Sequence, residues 1–184
     1  MNGLLAFYGV QQKNVSEYIP ELYDPNRANC CGVSRLRTSR GVELEMEGEP
    51  ATGWLLGGGY SYNQHSGVIP YNTELTSPKH VLKLWTSVQL PGELSRWTVG
   101  GNVDARSRTI SPGNCPRCAN VTLVQPRYAV VDLRAGLRID DHWQLALSLN
   151  NVFDTTYFET VNAFRRSYYY GEPRNVMLRI DARL

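Results

Sequence analysis

The sequence predicts an all-β protein, an antiparallel β-barrel that crosses a membrane, from three patterns in its 184 residues. Apolar and polar residues alternate along eight segments, and short and long connections join these segments in strict alternation. Most of the segments have about nine to twelve residues, whereas an ordinary globular strand has about five or six. A strand that crosses a bilayer obliquely needs about nine to eleven residues. Strand length therefore favours a membrane barrel over a soluble sandwich.

The segment Arg40–Glu49 is one of the alternating segments. Successive side chains of a strand point to opposite faces, so this segment has an apolar face and an acidic face: Val42, Leu44 and Met46 against Glu43, Glu45 and Glu47. The apolar face is predicted to contact lipid, and the glutamates are predicted to face the lumen. The reverse register would place carboxylates in hydrocarbon at a cost for each one, which fixes the register. The same alternation predicts further lumen-facing residues: Asp132, Arg134, Arg138, Arg179 and Asp181.

The connections carry a second signal, independent of the strands. The short ones are Glu49–Gly53, Leu90–Arg96 and Asp140–Asp141, and the long ones are Asn14–Val33, Asn63–Lys79, Ser107–Arg127 and Asn151–Arg174. Outer-membrane barrels have short periplasmic turns and long extracellular loops. A soluble sandwich has no reason to sort its loops in this way.

Three tryptophans each begin a strand directly after a short connection: Trp54, Trp97 and Trp143. In a barrel they stand at one height on the lipid-facing side. The sequence therefore predicts an aromatic girdle at the periplasmic interface.

Composition narrows the classes of partner. The formal net charge is +2 and no Lys/Arg run forms a basic tail, so nucleic acid is not an expected partner. No apolar run approaches the roughly 18 residues of a membrane helix. The mean hydropathy of −0.36 is compatible with a membrane barrel, whose strands are half polar. The N-terminal MNGLLAFYGVQQ lacks a basic n-region, so no signal peptide is expected.

Several segments together resemble the TonB-dependent outer-membrane receptors. LSLNNVFDTTYFET (147–160) resembles their Asn-Asn-(Leu/Val)-Phe-Asp-x-x-Tyr box, and YGEPRNVMLRIDARL (170–184) resembles their Gly-x-Pro-Arg segment and final strand. SRGVELEMEGEPATGWLLGGGYSY (39–62) is similar to their Gly-Val-Glu-Leu-Glu strand, turn and next strand. TSPKHVLKLWTSVQLPG (76–92) is most similar to the ferric-siderophore branch.

The resemblance implies a plugged, 22-stranded transporter for ferric siderophores in the outer membrane of Gram-negative bacteria. Residues 1–184 would form the C-terminal part of that barrel, about eight strands, with the plug domain and signal peptide absent. Such a partial chain is expected not to transport alone, and it would depend on the missing N-terminal part to reach the TonB energy-coupling complex. No enzymatic activity and no cofactor are expected, and iron would arrive only inside its siderophore. One alternative is a stand-alone eight-stranded barrel with a structural or adhesion role. A second alternative is a soluble β-domain or a product that never folds, since the two end strands of an open sheet are unpaired edges that invite aggregation.

The box Asn150, Asn151, Phe153 and Asp154 is expected to form a turn, because Asn and Asp hydrogen-bond to nearby backbone groups. In the segment Gly171–Arg174, Pro173 suits a strand start, and Arg174 is a candidate partner for lumenal carboxylates. Both segments are predicted to be structural.

Ligand contacts are predicted in the longest loop. Arg165 and Arg166 could meet an anionic ferric complex, and Tyr168, Tyr169 and Tyr170 could stack on a catecholate or chromophore. The other interpretation is an interfacial tyrosine belt with solvated arginines. Trp85 alternates with the apolar residues of its segment and so falls on the polar face with Lys83 and Ser87. It is therefore a candidate either for ligand contact or for packing on a plug.

The cysteines form two close pairs, Cys30–Cys31 and Cys115–Cys118. Their spacing fits zinc-ribbon sites poorly. Loop disulfides are favoured, Cys115 and Cys118 being the candidates, and incidental thiols stay open. Gly57–Gly59 lacks the Lys-Ser/Thr of a phosphate loop and is expected to leave room for a plug or to ease strand curvature. No catalytic constellation and no metal site are predicted.

Overall fold

The computed structural model describes residues 1–18, 32–66, 77–115, 118–162 and 167–183. The described chain is built from β-strands, with a single 3-10 turn at Gly92–Leu94. No helix in these ranges is long and apolar enough to cross a membrane. The strands are β1 (Asn2–Tyr18), β2 (Gly32–Ala51), β3 (Trp54–Ser66), β4 (His80–Gln89), β5 (Trp97–Arg106), β6 (Thr109–Cys115), β7 (Cys118–Gln125), β8 (Tyr128–Arg138), β9 (Trp143–Asn150), β10 (Phe158–Asn162), β11 (Ser167–Tyr170) and β12 (Asn175–Ala182).

Eight of these strands form one antiparallel sheet in the order β1-β2-β3-β4-β5-β8-β9-β12. They correspond to the eight predicted segments, and the all-β prediction is confirmed. Within the described residues β1 and β12 pair with one strand each, so the sheet is open. The closed eight-stranded barrel of the alternative interpretation is therefore not the arrangement that the strands adopt.

Two hairpins that the sequence did not predict lie in the long connections. The pair β6–β7 prolongs β5 and β8, because Arg106 faces Tyr128 and Thr109 faces Gln125 in the same register. The pair β10–β11 lies between β9 and β12. These strands have only 7, 8, 5 and 4 residues. Their alternation is too short to separate from a loop by pattern alone.

The register gives the sheet two different faces. Its polar face carries Glu45, Gly59, Lys83 and Asp104 as directly opposed residues on four successive strands. The neighbouring positions on the other face are all apolar or small: Leu44, Tyr60, Leu82, Ala105 and Ala129. The tryptophans at the short-turn end share this apolar face, since Trp54 faces Val88, Trp97 faces Leu137 and Trp143 faces Ala182.

The apolar face is not covered by any other part of the described chain. Phe7 is 73% exposed and Leu178 62% exposed, and Val161 is the only buried apolar side chain in the described ranges. An apolar surface of this extent is unfavourable in water and marks a region that another medium or partner covers. The sheet is thus a single layer whose apolar side chains need a surrounding that the described chain does not supply.

Side-chain hydrogen bonds close the short turns. The Glu49 Oε1 atom accepts a 2.7 Å bond from the Gly53 backbone N–H, and Gly53 has a φ of 77° that suits glycine. Between β8 and β9, the Asp140 Oδ1 atom accepts 2.8 Å bonds from the N–H groups of His142 and Trp143. Both turns are closed by a local acceptor, which explains why so few residues suffice there.

Two adjacent residues of β12 test which face contacts lipid. Leu178 faces Leu147 on the apolar face and Met177 faces Ser148 on the polar face, and the two side chains are 62% and 54% exposed. Leu178→Arg is expected to lower the amount of folded protein in the outer membrane several-fold, because an arginine on the lipid side costs about 2–4 kcal/mol at mid-depth. Met177→Arg, the matched control, is expected to leave it close to normal. Immunoblots of outer-membrane fractions measure both, and equal losses would contradict the assignment of the faces.

Candidate functional site

The polar face holds an open depression of ≈ 670 Å³ between β1 and β4. The predicted lumenal carboxylates Glu43, Glu45 and Glu47 line it from β2, and Lys83 and Trp85 line it from β4. Glycines of β3 lie between these two groups, because Glu45 faces Gly59 and Glu47 faces Gly57. The site therefore juxtaposes three carboxylates, an ammonium group and an indole ring.

Gly57 explains the position of Trp85. The two residues face each other across β3 and β4, and a Cβ at Gly57 would stand 2.6 Å from the Trp85 ring. Only a residue without a side chain leaves room for the ring at this level. Trp85 is 42% exposed on the polar face, the side that its parity predicted. Its contact with a ligand or plug stays a prediction.

The other predicted lumenal residues share the polar face. Arg134 faces Ser148, and Arg138 faces Gln144, which itself faces Asp181. Arg179 and Asp181 form a pair at 2.8 Å with side chains that are 72% and 41% exposed, so water weakens the pair strongly. A pair that the sequence analysis missed lies further out, where Arg106 donates two bonds of 3.0 and 2.9 Å to Asp104.

Asn151 ties together the two ends of the connection from Asn151 to Arg174. It is 1% exposed, and its Nδ2 atom donates to the backbone oxygens of Thr155 and Glu172 at 2.9 and 3.0 Å. Its Oδ1 atom accepts a 2.8 Å bond from the Thr155 N–H. Its φ of 49° lies in the left-handed region that Asn tolerates better than most residues. This agrees with the structural role that the sequence predicted for the box.

Asp132 joins this connection to the wall of the sheet. Its Oδ1 atom accepts a 2.7 Å bond from the Asn151 N–H, and its Oδ2 atom accepts a 2.7 Å bond from the Asn102 Nδ2 atom. Asp132 was predicted only as a lumen-facing charge, and Asn102 was not singled out. A carboxylate that accepts two short bonds holds three segments in one geometry.

The rest of the box also makes structural contacts. The Asp154 Oδ1 atom accepts a 3.1 Å bond from the Arg174 N–H, and the two side chains form an exposed pair at 3.8 Å. The Asn150 Nδ2 atom donates to the Asn175 Oδ1 atom at 3.0 Å. Phe153 is 72% exposed in the same turn. Arg174 thus pairs with the turn in this structure and not with a carboxylate of the sheet.

The hairpin β10–β11 carries the aromatic residues of the predicted ligand contact. Tyr168 and Tyr170 lie against the Phe158 ring, with centroids 5.1 and 4.7 Å away. Tyr169 alternates to the other face of the hairpin, faces Thr160 and is 65% exposed. Hence the three tyrosines do not act as one surface: two of them pack on Phe158 and one points away.

Tyr157 anchors the start of the hairpin. Its ring stacks on Tyr128 with centroids 4.5 Å apart, and its backbone oxygen accepts a 2.9 Å bond from the Gly171 N–H. Partial burial raises the pKa of the Tyr157 phenol above its usual value, and the charge of Glu159 adds to the effect. The phenol is therefore a neutral hydrogen-bonding group at physiological pH.

Two predicted sites are not described by the structure. Arg165 and Arg166 lie outside the described residues. Cys115 and Cys118 are opposed in the backbone register of β6 and β7, and their side chains lie outside the described ones. The loop disulfide and the arginine contacts stay predictions. Within the described ranges, no group of three or more His, Cys, Asp or Glu residues could hold a metal ion.

The family model for the TonB-dependent receptor-like β-barrel matches residues 2–152. This match covers most of the eight-stranded sheet. The chain belongs to this family. Its receptors are outer-membrane proteins of Gram-negative bacteria, and the outer membrane is the location of this chain.

Individual members of the family match the chain along almost its whole length. The ferric-pyoverdine BN7/BN8 receptor of Pseudomonas putida is 32% identical over 177 residues, which are 96% of this chain and 20% of that receptor. The ferripyoverdine receptor of Pseudomonas aeruginosa is 30% identical over 182 residues, 96% of this chain and 22% of that receptor. The chain thus spans about a fifth of the length of these TonB-dependent receptors.

A solved TonB-dependent receptor shows the same backbone arrangement. The pyoverdine outer-membrane receptor of Pseudomonas aeruginosa, bound to pyoverdine, superposes with a TM-score of 0.86 at 29% identity. The superposition covers 98% of this chain and 27% of that one. The open sheet described above therefore corresponds to a contiguous portion of a receptor barrel.

Substitutions of Asn151 and of its neighbour Asn150 provide a matched test of how the connection from Asn151 to Arg174 is held. Asn151→Ala removes three side-chain bonds and places Ala at a positive φ, so we expect a loss of about 2–4 kcal/mol in local stability. Asn150→Ala removes one bond to Asn175, for which we expect about 1 kcal/mol. Hydrogen–deuterium exchange of the protein in outer-membrane vesicles should show faster exchange from Thr155 to Asn175 for Asn151→Ala. Similar exchange in the two variants would rule out the tying role of Asn151.

Proposed function

We propose that this chain forms eight consecutive wall strands of a 22-stranded barrel that takes up ferric siderophores across the outer membrane. The observation that carries the proposal is the similarity to ferric-pyoverdine receptors over 96% of the chain. The fold agreement with a receptor bound to pyoverdine supports the same class of ligand. We therefore expect the ligand to be a ferric siderophore of the pyoverdine type.

The ends and the two faces of the sheet would have different roles. The long connections, with the hairpins β6–β7 and β10–β11, would reach the extracellular side and meet the ferric complex first. The polar face, with Glu43, Glu45 and Glu47 opposite Lys83, would line the lumen around a plug. The apolar face would contact lipid, with Trp54, Trp97 and Trp143 at the periplasmic interface.

The proposed activity is transport, with no bond made or broken. A ferric siderophore is anionic and carries flat, conjugated iron-binding groups, so cationic and aromatic side chains are suitable contacts. Release into the periplasm would require force from the TonB energy-coupling complex, applied to the plug and not to these strands. The iron is cargo in this scheme, and the described residues would bind it only through the siderophore.

Uptake by whole cells tests the proposal directly. Iron-starved cells of the source bacterium, with and without the gene, are given ⁵⁵Fe bound to a panel of pyoverdines and to catecholate siderophores. Deletion is expected to abolish uptake of at least one ferric pyoverdine and to leave the catecholates unaffected. Unchanged uptake of every complex in the panel would refute the proposed function.

Tyr169 is the residue at which to test ligand contact, because it is exposed and does not pack on Phe158. Tyr169→Ala is expected to raise the apparent Kd for the ferric complex about two- to tenfold, as loss of one ring contact of about 0.5–1.5 kcal/mol predicts. Tyr169→Phe keeps the ring and should bind nearly as the native chain does. Phe153→Ala is the control, since Phe153 is an exposed aromatic residue of the same connection outside the hairpin. Quenching of siderophore fluorescence on intact cells gives the Kd, and an unchanged value for Tyr169→Ala would exclude this contact.

A further inference from the structure

The apolar face ends in one polar row at the end of the sheet that bears the long connections. Tyr62 faces His80 across β3 and β4, and the Ser107 N–H donates a 2.9 Å bond to the His80 backbone oxygen. Because β5–β6 and β7–β8 keep one register, Ser107 lies opposite Arg127. The next row toward the short turns is apolar: Tyr60, Leu82, Ala105 and Ala129. The change from apolar to polar side chains thus occurs at one level at the ends of β4, β5 and β8, whereas β3 carries a tyrosine in both rows.

This polar row stands at a height that suits the lipid headgroups. His80 and Val88 begin and end the apolar stretch of β4, and Val88 faces Trp54 at the opposite interface. The eight steps from His80 to Val88 span about 26 Å along the strand at about 3.3 Å per residue, which a strand tilt of about 35–45° reduces to about 19–22 Å of height. The apolar band of an outer-membrane barrel is about 25 Å tall. The row would therefore stand near the boundary between hydrocarbon and headgroups of the outer leaflet, which a long side chain such as that of Arg127 can reach.

His80 is held in a fixed orientation within the row. Its Nδ1 atom lies 2.7 Å from the Tyr60 hydroxyl, and its ring centroid lies 5.0 Å from that of Tyr62. This leaves Nε2 as the ring nitrogen that can bond outward. The His80 backbone N–H donates a 3.1 Å bond to the Ser107 Oγ atom, so the Ser107 hydroxyl keeps its own hydrogen for another acceptor.

A groove runs from the polar row toward the middle of the membrane. A depression of ≈ 510 Å³ is lined by His80, Ser107 and Arg127 at the polar end and by Leu82, Ala105 and Ala129, and Arg106 and Tyr128 complete its lining. The two alanines are small residues between larger neighbours on the apolar face, which creates the concavity. One end of the depression thus offers hydrogen-bond donors, and the rest offers apolar atoms.

The charge around the groove is positive. Arg127 has no ion-pair partner in the described part of the chain. Asp104 is the only carboxylate within residues 77–82, 104–109 and 125–129, and it bonds to Arg106 on the polar face. Within the described residues, no carboxylate lines the depression, and Arg127, Ser107 and His80 all line it.

We propose that this groove binds one phosphate-bearing lipid of the outer leaflet. Arg127 and the Ser107 hydroxyl donate to the phosphate oxygens, His80 donates through Nε2, and an acyl chain lies over Ala105 and Ala129. The site lies on the opposite face from the proposed siderophore path, so it goes beyond uptake and rests only on the contact of the apolar face with lipid.

Native mass spectrometry of the protein, extracted from outer membranes in mild detergent, tests the site. The native chain is expected to retain one phosphorylated lipid. Arg127→Glu should lower the retained fraction roughly tenfold or more, because it removes an attraction and adds a repulsion at the headgroup. Ala129→Leu, which keeps the charge and fills the groove, should also lower it. Folding of each variant is checked by the heat-modifiable gel shift.

Arg108→Glu is the matched control. This substitution makes the same charge change at the residue next to Ser107, and Arg108 does not line the groove. Retention by this variant is expected to equal that of the native chain. The proposal is overturned if Arg108→Glu loses lipid as strongly as Arg127→Glu, or if the native chain retains no phosphorylated lipid. Because no siderophore enters the assay, its outcome is independent of the uptake experiment.

Discussion

The pairing of backbone polar groups between neighbouring strands is the constraint on which the rest of this structure depends. No water is available in hydrocarbon to satisfy a free N–H or C=O group, so strands that cross it have to be joined edge to edge. Seven antiparallel ladders join the eight strands of the main sheet from β1 to β12, with register shifts in the β1–β2 and β2–β3 pairs. Their register then decides which side chains meet, because the side-chain period of a strand is two.

The two faces of the sheet follow from that register. Glu45 and Lys83 lie on the same face as Asp104, because residues that are directly opposed across a ladder point to the same face of the sheet. The other side collects Leu44, Leu82 and the tryptophans of the short turns. A single layer of this kind has no core of its own, and its exposed apolar side chains need a surrounding that the described chain does not supply. The proposed uptake role uses one face, and the proposed lipid groove uses the other.

Asp132 and Asn151 connect this wall to the part that would meet the ligand. One carboxylate bonds to Asn102 in the wall and to the backbone of Asn151, and the amide of Asn151 then bonds to both ends of the following connection. A loop that would otherwise be free is thereby held against a rigid ladder. Binding to a held loop costs less conformational entropy than binding to a free one. The aromatic hairpin β10–β11 gains its position from these bonds.

Much of the fold could be predicted from the sequence alone. The alternation of Val42, Leu44 and Met46 with glutamates determined a two-faced strand, and the alternation of loop lengths determined which ends of the strands carry the turns. The alternation of side chains along β4 was enough to place Trp85 on the polar face. These features are local, since side-chain period and turn chemistry act within a few residues along the chain.

The tertiary structure alone decided which distant residues meet. The bond from Asn102 to Asp132 spans 30 positions, and the bond from Asn151 to Glu172 spans 21. The contact of Gly57 with Trp85, the packing of Tyr168 and Tyr170 on Phe158, and the row from Tyr62 to Arg127 depend equally on strand pairing. Alternation tells which face a side chain takes, and it contains no information on which residue of another strand lies opposite. The sequence by itself therefore determined the class of fold and its two faces, whereas pairing between strands determined every site.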